Sequence, residues 1–280
     1  MVRRVLAGET GPSGGPAMTD VLGVCTSWGA GLCVVQPETG DPVRIRLGDI
    51  VSGKPVPPRP STRHRVTPLE AQRRALVLWP DLETEPLGDW LLRRSPTATA
   101  RRANSVLAFA PAGVPDAYER VVAFYERPVA AVLPDSDEDA LFRGRGWVPE
   151  SHDADTLFQL ASVAQTRREL RSRAVVPATV DLVGVPSAEG RVVTARIGEA
   201  AQGVAAYDRD WVGFRTIEVD PARRREGLGL AVMAALLGWG AEQGATTAYL
   251  QVLGDNAGAL DLYRGLGFTT HHAYRYLTPR

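Results

Sequence analysis

Residues 220–229 read Asp-Pro-Ala-Arg-Arg-Arg-Glu-Gly-Leu-Gly, with the residue types and spacing of an anion cradle. Two glycines at the mouth of a helix let the main chain approach a ligand without Cβ obstruction. The unpaired amides of a first helical turn, with the helix dipole behind them, favour a group such as phosphate. Arg223, Arg224 and Arg225 add positive charge beside the turn. The better-known phosphate loops do not fit. No Lys-Ser or Lys-Thr pair follows the glycines, which excludes a nucleotide P-loop, and the dinucleotide fingerprint wants three glycines where this turn has two. Such a cradle needs a strand before it and a helix behind it. Residues 214–219 (Phe-Arg-Thr-Ile-Glu-Val) supply the strand, which Pro221 ends because proline cannot donate to a ladder. The apolar run 230–239 supplies the helix.

Arg224-x-x-Gly227-x-Gly229 after a Val-Asp-Pro strand end resembles the acyl-CoA motif of the GNAT superfamily of N-acyltransferases, Arg/Gln-x-x-Gly-x-Gly/Ala. The second hallmark of that superfamily follows in order: Tyr249-Leu250-Gln251-Val252, then residues 255–268, Asp-Asn-Ala-Gly-Ala-Leu-Asp-Leu-Tyr-Arg-Gly-Leu-Gly-Phe. The resemblance implies an α/β (α+β) GNAT fold with a mixed, mostly antiparallel sheet and acetyl-CoA as cosubstrate. It also implies transfer to a primary amine by direct attack, without a covalent enzyme intermediate. Ile217 and Val219 are then expected where two strands splay apart, the main chain of Val219 pairing with the pantetheine arm. Arg224, Arg225, Gly227, Leu228, Gly229 and Leu230 are expected around the pyrophosphate.

Tyr263 matches the tyrosine that many of these enzymes set against the CoA sulfur as general acid. A phenol can protonate a thiolate once modest local tuning closes the gap between the free pKa values of ~10 and ~8.5. A core aromatic is the competing account. Asn256 matches a residue that contacts the cofactor arm, and an ordinary helix N-cap explains it equally well. The general base is not assigned by the motif: Gln251 stands where several protein N-terminal acetyltransferases carry glutamate. Glu218 is the leading candidate, because its side chain points away from those of Ile217 and Val219. Asp220, Asp255, His271 and His272 are others. The two histidines are expected on the surface facing opposite ways, and no metal site is expected.

Composition bounds the rest. The 280 residues carry 44% hydrophobic and 23% charged residues and a formal net charge of zero, which gives no support to general nucleic-acid or anionic-membrane binding. Lys54 is the sole lysine, and no run of 18 apolar residues exists. Cys25 and Cys33 fit no common zinc spacing and are expected as two buried thiols in a cytoplasmic protein.

Three parts are expected. Residues 1–60 carry short β-like runs at 21–24, 32–35 and 43–47, a loop over 9–18 and a polyproline-like linker over 54–60, suggesting a small SH3-like barrel. Residues 61–162 read as a degenerate GNAT-like unit, with helices at 68–76 and 116–126 and strands at 88–93, 104–107 and 129–133. Leu141-Phe142-Arg143-Gly144-Arg145-Gly146-Trp147 is echoed by Leu262-Tyr263-Arg264-Gly265-Leu266-Gly267-Phe268, identical at four of seven positions, and the echo suggests tandem units. Only the second, 163–280, has the arginine-glycine turn. The whole resembles an actinobacterial GNAT group with an N-terminal SH3-like domain. One departure stands out: the seven residues 184–190 cannot hold the two helices that commonly floor the acceptor site. Either the first unit supplies that wall, or the protein is a weakly active acyl-CoA-binding regulator with a partner-binding barrel.

Overall fold

The computed structural model describes all residues except 12–13, 38–39, 55–61, 151–153, 174–177 and 186–190. The chain divides into two compact units, Met1–Pro60 and Ser61–Arg280.

In the first unit, β1 (Val2–Thr10), β2 (Pro16–Val21) and β6 (Ile50–Gly53) form one three-stranded sheet in the order β2-β1-β6. A second is formed by β3 (Val24–Gly29), β4 (Leu32–Gln36) and β5 (Val43–Arg46), in that order. Val2, Val21, Cys33, Val35 and Ile45 make its core. The strand expected at 21–24 is instead the junction of β2 and β3. A Cβ on Gly23 would lie 2.2 Å from the Gln36 carbonyl oxygen, so the chain must pass there as glycine. The loop expected over 9–18 is largely hairpin, with Thr10 paired to Pro16. Cys33 is buried but Cys25 is exposed, correcting the expectation of two buried thiols, because β3 is exposed along its whole length. Of the proline-rich linker expected over 54–60, all but Lys54 lies outside the described residues.

The second unit opens with α1 (Pro68–Arg74), capped by the Thr67 hydroxyl on the Glu70 amide (3.2 Å), as its Thr-Pro start leads one to expect. Then come β7 (Glu83–Leu87), β8 (Trp90–Arg94), β9 (Val106–Ala108), α2 (Ala117–Phe124), β10 (Ala130–Val132), α3 (Asp137–Gly144) and β11 (Val148–Pro149). The chain continues through β12 (Thr156–Ser162), α4 (Val163–Ser172), β13 (Asp181–Gly184), β14 (Val192–Ile197), β15 (Ala201–Asp208) and β16 (Trp211–Val219). It closes with α5 (Leu228–Glu242), β17 (Thr247–Leu253), α6 (Ala257–Gly265) and β18 (Thr269–Thr278).

These strands build a single 12-stranded sheet, ordered β13-β14-β15-β16-β17-β12-β18-β10-β9-β8-β7, with β11 beside β18. Pairing is antiparallel except at β16–β17 and β9–β10, where a helix crosses between parallel neighbours. The sheet does not stop near residue 162. β12 lies between β17 and β18, and β18 pairs on its far side with β10. Beyond the expected elements of this unit, β7, β11 and β12 are additions. β12 (Thr-Leu-Phe-Gln-Leu-Ala-Ser) is interior to the sheet and covered on both faces, so it lacks the alternation that marks a half-exposed strand.

One face of the β13–β17 half packs against α5 through Val212, Phe214, Val232, Met233, Leu236 and Leu250. Helix and sheet approach closely there: a Cβ on Gly240 would lie 2.7–3.0 Å from the Val212 side chain. The opposite face is covered by α1 and the 3-10 turn after it, whose Ala71, Ala75 and Leu78 pack on Phe158, Leu160, Trp211 and Tyr249. Residues 68–78 thus wall the face left bare by the short connection between β13 and β14.

Candidate acyl-CoA site

The β16–β17 ladder ends at the pair Phe214–Leu250, although β16 runs on to Val219 and β17 to Leu253. A bulge accounts for the parting. Between the pairs Val204–Arg215 and Gln202–Glu218, β16 holds one residue more than β15, and Thr216 takes φ +55°. Such an insertion bends its strand. The opening leaves main-chain groups beyond Phe214 and Leu250 without a ladder partner across the gap.

At the end of β16, the Asp220 carboxylate accepts the Ala222 N–H (2.9 Å), and Arg223 pairs with Glu226 (2.7 Å). Arg225 and Gly227 both take left-handed φ, +67° and +82°, and Gly227 is the N-cap of α5. The first-turn amides of α5 therefore face out with no capping side chain. A Cβ on Gly229 would lie 3.4 Å from Val219 Cγ2, so that glycine sits where strand and helix touch. Arg224 and Arg225 are exposed and, among the described residues, make no ion pair.

A cleft of about 770 Å³ opens at this point. All nine residues named from the sequence for the cofactor line it: Ile217, Val219, Arg224, Arg225, Gly227, Leu228, Gly229, Leu230 and Asn256. Ala259 and Leu262 of α6 close the far wall. The donor set is main-chain amides, two unpaired guanidiniums and an apolar wall, which fits a pyrophosphate with a thin flexible arm. Asn256 also caps α6, its side-chain oxygen accepting the Ala259 N–H at 3.2 Å.

The residues named for chemistry are less concentrated. Glu218 lines the cleft from the exposed side of β16 and accepts a hydrogen bond from Gln202 Nε2 (3.1 Å). Tyr263 is not among the cleft-lining residues. Its ring lies edge-on to Phe268, centroids 5.8 Å apart, and burial raises its phenol pKa. Gln251 points to the opposite face and accepts the Tyr274 hydroxyl. Asp220 is used in the turn, and Asp255 is exposed.

The histidines depart furthest from expectation. His272 is buried and His271 half-buried, and their Nδ1 atoms lie 2.7 Å apart. The β12–β18 register slips between Phe158–His272 and Gln159–Thr270, so His271 is a bulge residue and the strict alternation of faces fails there. The Val66 carbonyl can only accept, so His271 Nε2 carries hydrogen toward it (2.9 Å). His272 Nδ1 must then donate to His271, leaving His272 Nε2 to accept from the Gln72 amide (3.2 Å). The wire holds only with both rings neutral. Burial, with His271 beside it, pushes His272 down to about 3, and burial also lowers His271. Among the described residues no group of three His, Cys, Asp or Glu could hold a metal ion.

On that same far face, beside the opening, lie residues that the motifs did not single out. Arg215, the first residue past the last β16–β17 pair, donates to the Leu78 carbonyl (2.8 Å) and lies 4.4 Å over the Trp79 ring. Burial pulls it below the ordinary guanidinium value, with Asp81 acting against that. Arg102 reaches the Gln251 carbonyl and the Tyr274 hydroxyl, both at 3.4 Å. No local pattern marks either arginine, since the carbonyls and the Tyr274 hydroxyl that they reach lie at least 137 positions away.

Comparison with known proteins agrees with this geometry. Residues 152–277 match the family model described as "Probable histone acetyltransferase Rv0428c C-terminal". The chain is 27% identical over 266 residues to "Probable histone acetyltransferase Rv0428c" of Mycobacterium tuberculosis, covering 87% of this chain and 83% of that protein. It is 33% identical over 207 residues to the mycothiol acetyltransferase of Amycolatopsis mediterranei, covering 73% of this chain but 56% of that one. Among solved structures, a GCN5-related N-acetyltransferase from Kribbella flavida superposes with TM-score 0.53 at 17% identity, over 75% of this chain and 95% of its own. A conserved protein of unknown function from Staphylococcus epidermidis gives 0.52 at 11% identity, over 78% of this chain and 98% of its own. The fold is that of the GCN5-related N-acetyltransferases, and residues 152–277 are similar to the family model named above.

Proposed function

We propose that the protein is an N-acetyltransferase that takes an acetyl group from acetyl-CoA and passes it to a primary amine. The observation that carries this reading is the cleft in which an uncapped helix N-terminus, two unpaired arginines and a parted strand pair converge. Main-chain amides of residues 227–230 would hold the pyrophosphate, Arg224 and Arg225 would neutralise it, and the free edge of β16 at Val219 would align the pantetheine arm. The thioester would then lie at the opening, where alignment with the amine can contribute ~7–11 kcal/mol. When bound, acetyl-CoA supplies the activated acyl group. The chain's own part is to hold that group in line and to move protons.

Tyr263 is proposed as the acid for the leaving thiolate. A phenol is protonated at neutral pH, and Leu262 beside it on α6 reaches the cleft; the burial that raises its pKa works against donation, so the developing thiolate must draw the proton out. Glu218 is proposed as base or water-relayed base, being a carboxylate on the cleft wall. The test is acetyl-CoA calorimetry on the wild type beside a Gly227→Asp, Gly229→Asp variant. Binding near micromolar that disappears in the folded variant supports the site, and no binding by the wild type removes the reading.

A second reading, a weakly active acyl-CoA-binding regulator, is favoured by one observation: Gln251 is an amide already engaged by Tyr274. Two further proposals concern organisation. The strand run β8-β9-α2-β10-α3, with parallel β9–β10, repeats the order β15-β16-α5-β17-α6 with parallel β16–β17, and fits tandem GNAT-like units of which the first has lost its cradle. The two three-stranded sheets of residues 1–60 are offered as a small SH3-like module for a partner.

A further inference from the structure

The cofactor cleft lies on the α5–α6 side of the sheet: its lining residues Ala259 and Leu262 belong to the group packed on Val232 and Leu236. An amine that attacks a thioester held in the β16–β17 opening must approach from the side the cofactor does not occupy. That side carries Trp211, Tyr249, Gln251 and Arg215, on which α1 and residues 75–79 are laid.

Arg215 and Gln251 are the first residues past the last pair of the ladder, one on each side of the opening. Arg102 sits over the Gln251 carbonyl and the Tyr274 hydroxyl, with both contacts at the long limit of a hydrogen bond. Two guanidiniums therefore border one side of the opening, and among the described residues neither lies within ion-pair distance of a carboxylate. Asp81, the nearest acid to act on Arg215, has one oxygen, Oδ2, already accepting the Ser95 and Thr97 hydroxyls. Partly desolvated cations without an anion are costly, and the guanidinium N–H groups that these oxygens leave free can take a carboxylate.

We propose that the amine acceptor carries a carboxylate, bound by Arg102 and Arg215 on the face of the sheet opposite the cofactor cleft. The inference rests on the acetyltransferase reading and narrows its substrate to amino acids or related small zwitterions. Gln251, unable to act as a base, becomes part of the polar floor under that carboxylate. The reaction balances: the acceptor nitrogen bonds to the acetyl carbon, the carbon–sulfur bond breaks, one proton leaves the amine and one reaches the sulfur. The carboxylate is unchanged throughout.

The experiment uses the full chain with acetyl-CoA and paired acceptors that differ only at the far end, ω-amino carboxylic acids against their primary amides, over a series of chain lengths. CoA release reports turnover, and calorimetry on acetyl-CoA is run alongside. The expected result is a preference of about tenfold or more for the acids at the best length. That preference should collapse toward unity in Arg102→Gln and in Arg215→Gln, with acetyl-CoA affinity retained. Should Arg102→Gln fail to fold, Arg215→Gln carries the test. Equal or lower turnover of the acids, including none at all, overturns the inference, as does an unchanged ratio in the folded variants. Retained acetyl-CoA binding in those cases leaves the acetyltransferase reading standing, whereas loss of acetyl-CoA binding by the wild type removes both.

Discussion

Tyr263 shows how little a residue's identity says before its surroundings are known. Its echo, Phe142, is fully buried between Trp90 and Trp147, so this position in the last turn of a short helix accepts an aromatic for packing alone. The hydroxyl is what packing does not require. Tyr263→Phe should therefore fold with wild-type stability and acetyl-CoA affinity while kcat falls by ~10²-fold or more, and unchanged turnover would leave Tyr263 as a core aromatic. Gly227 and Gly229 make a second contrast at this scale. Gly227 takes φ +82°, so Gly227→Ala is expected to destabilise by about 1 kcal/mol through backbone strain. Gly229 has ordinary φ and one contact at 3.4 Å, so Gly229→Ala should bind acetyl-CoA nearly as well as wild type. Thermal melts and calorimetry on the two variants check the difference.

At the scale of elements, the contacts that matter are close approaches. α5 lies so near β16 that Gly240→Val would force its side chain into Val212, an overpacking expected to cost about 1–3 kcal/mol in urea titrations. The Gln72–His272–His271–Val66 wire ties α1 and the segment before it to the start of β18. Its pH dependence has a definite sign. His272 is depressed to about 3 in the folded state, so the unfolded chain binds the extra proton first as pH falls below its ordinary value. Stability should be full near pH 7, decline by roughly 2 kcal/mol by pH 5, and continue falling toward the folded value. Urea midpoints measured from pH 7.5 to 5 should show this slope, and His272→Phe should flatten it.

The molecule as a whole is organised by an exchange of strands. β12 follows α3 in the chain but pairs with β17, while β18 follows α6 and pairs with β10. Each half of the sheet is closed by a strand from the other half. A fragment 163–280 would hold the entire acyl-CoA motif and yet lack the strand between β17 and β18, exposing Leu250 and Tyr274 along unpaired edges. Expressed alone it should be insoluble or unfolded by circular dichroism, whereas 61–280 should fold and bind acetyl-CoA. A folded, binding 163–280 fragment would show that the exchange is dispensable.

The amino-acid sequence determined what local rules control. The turn from Asp220 to Gly229, its helix and the caps at Thr67 and Asn256 follow from glycine freedom, proline, capping and helix amides acting within about ten positions, and the nine residues that line one cleft were those the motif resemblance implied. Tertiary structure alone decided the rest. β12 carries no alternating pattern because both its faces are covered, so nothing in its sequence announces a central strand. The His271 and His272 rings meet because a one-residue bulge in β18 against β12 overrides the two-residue period. Arg102 and Arg215 come to one opening because strands far apart in sequence are hydrogen-bonded side by side. Such pairings depend on which buried surfaces fit each other across the whole sheet, and no short window of sequence contains that information.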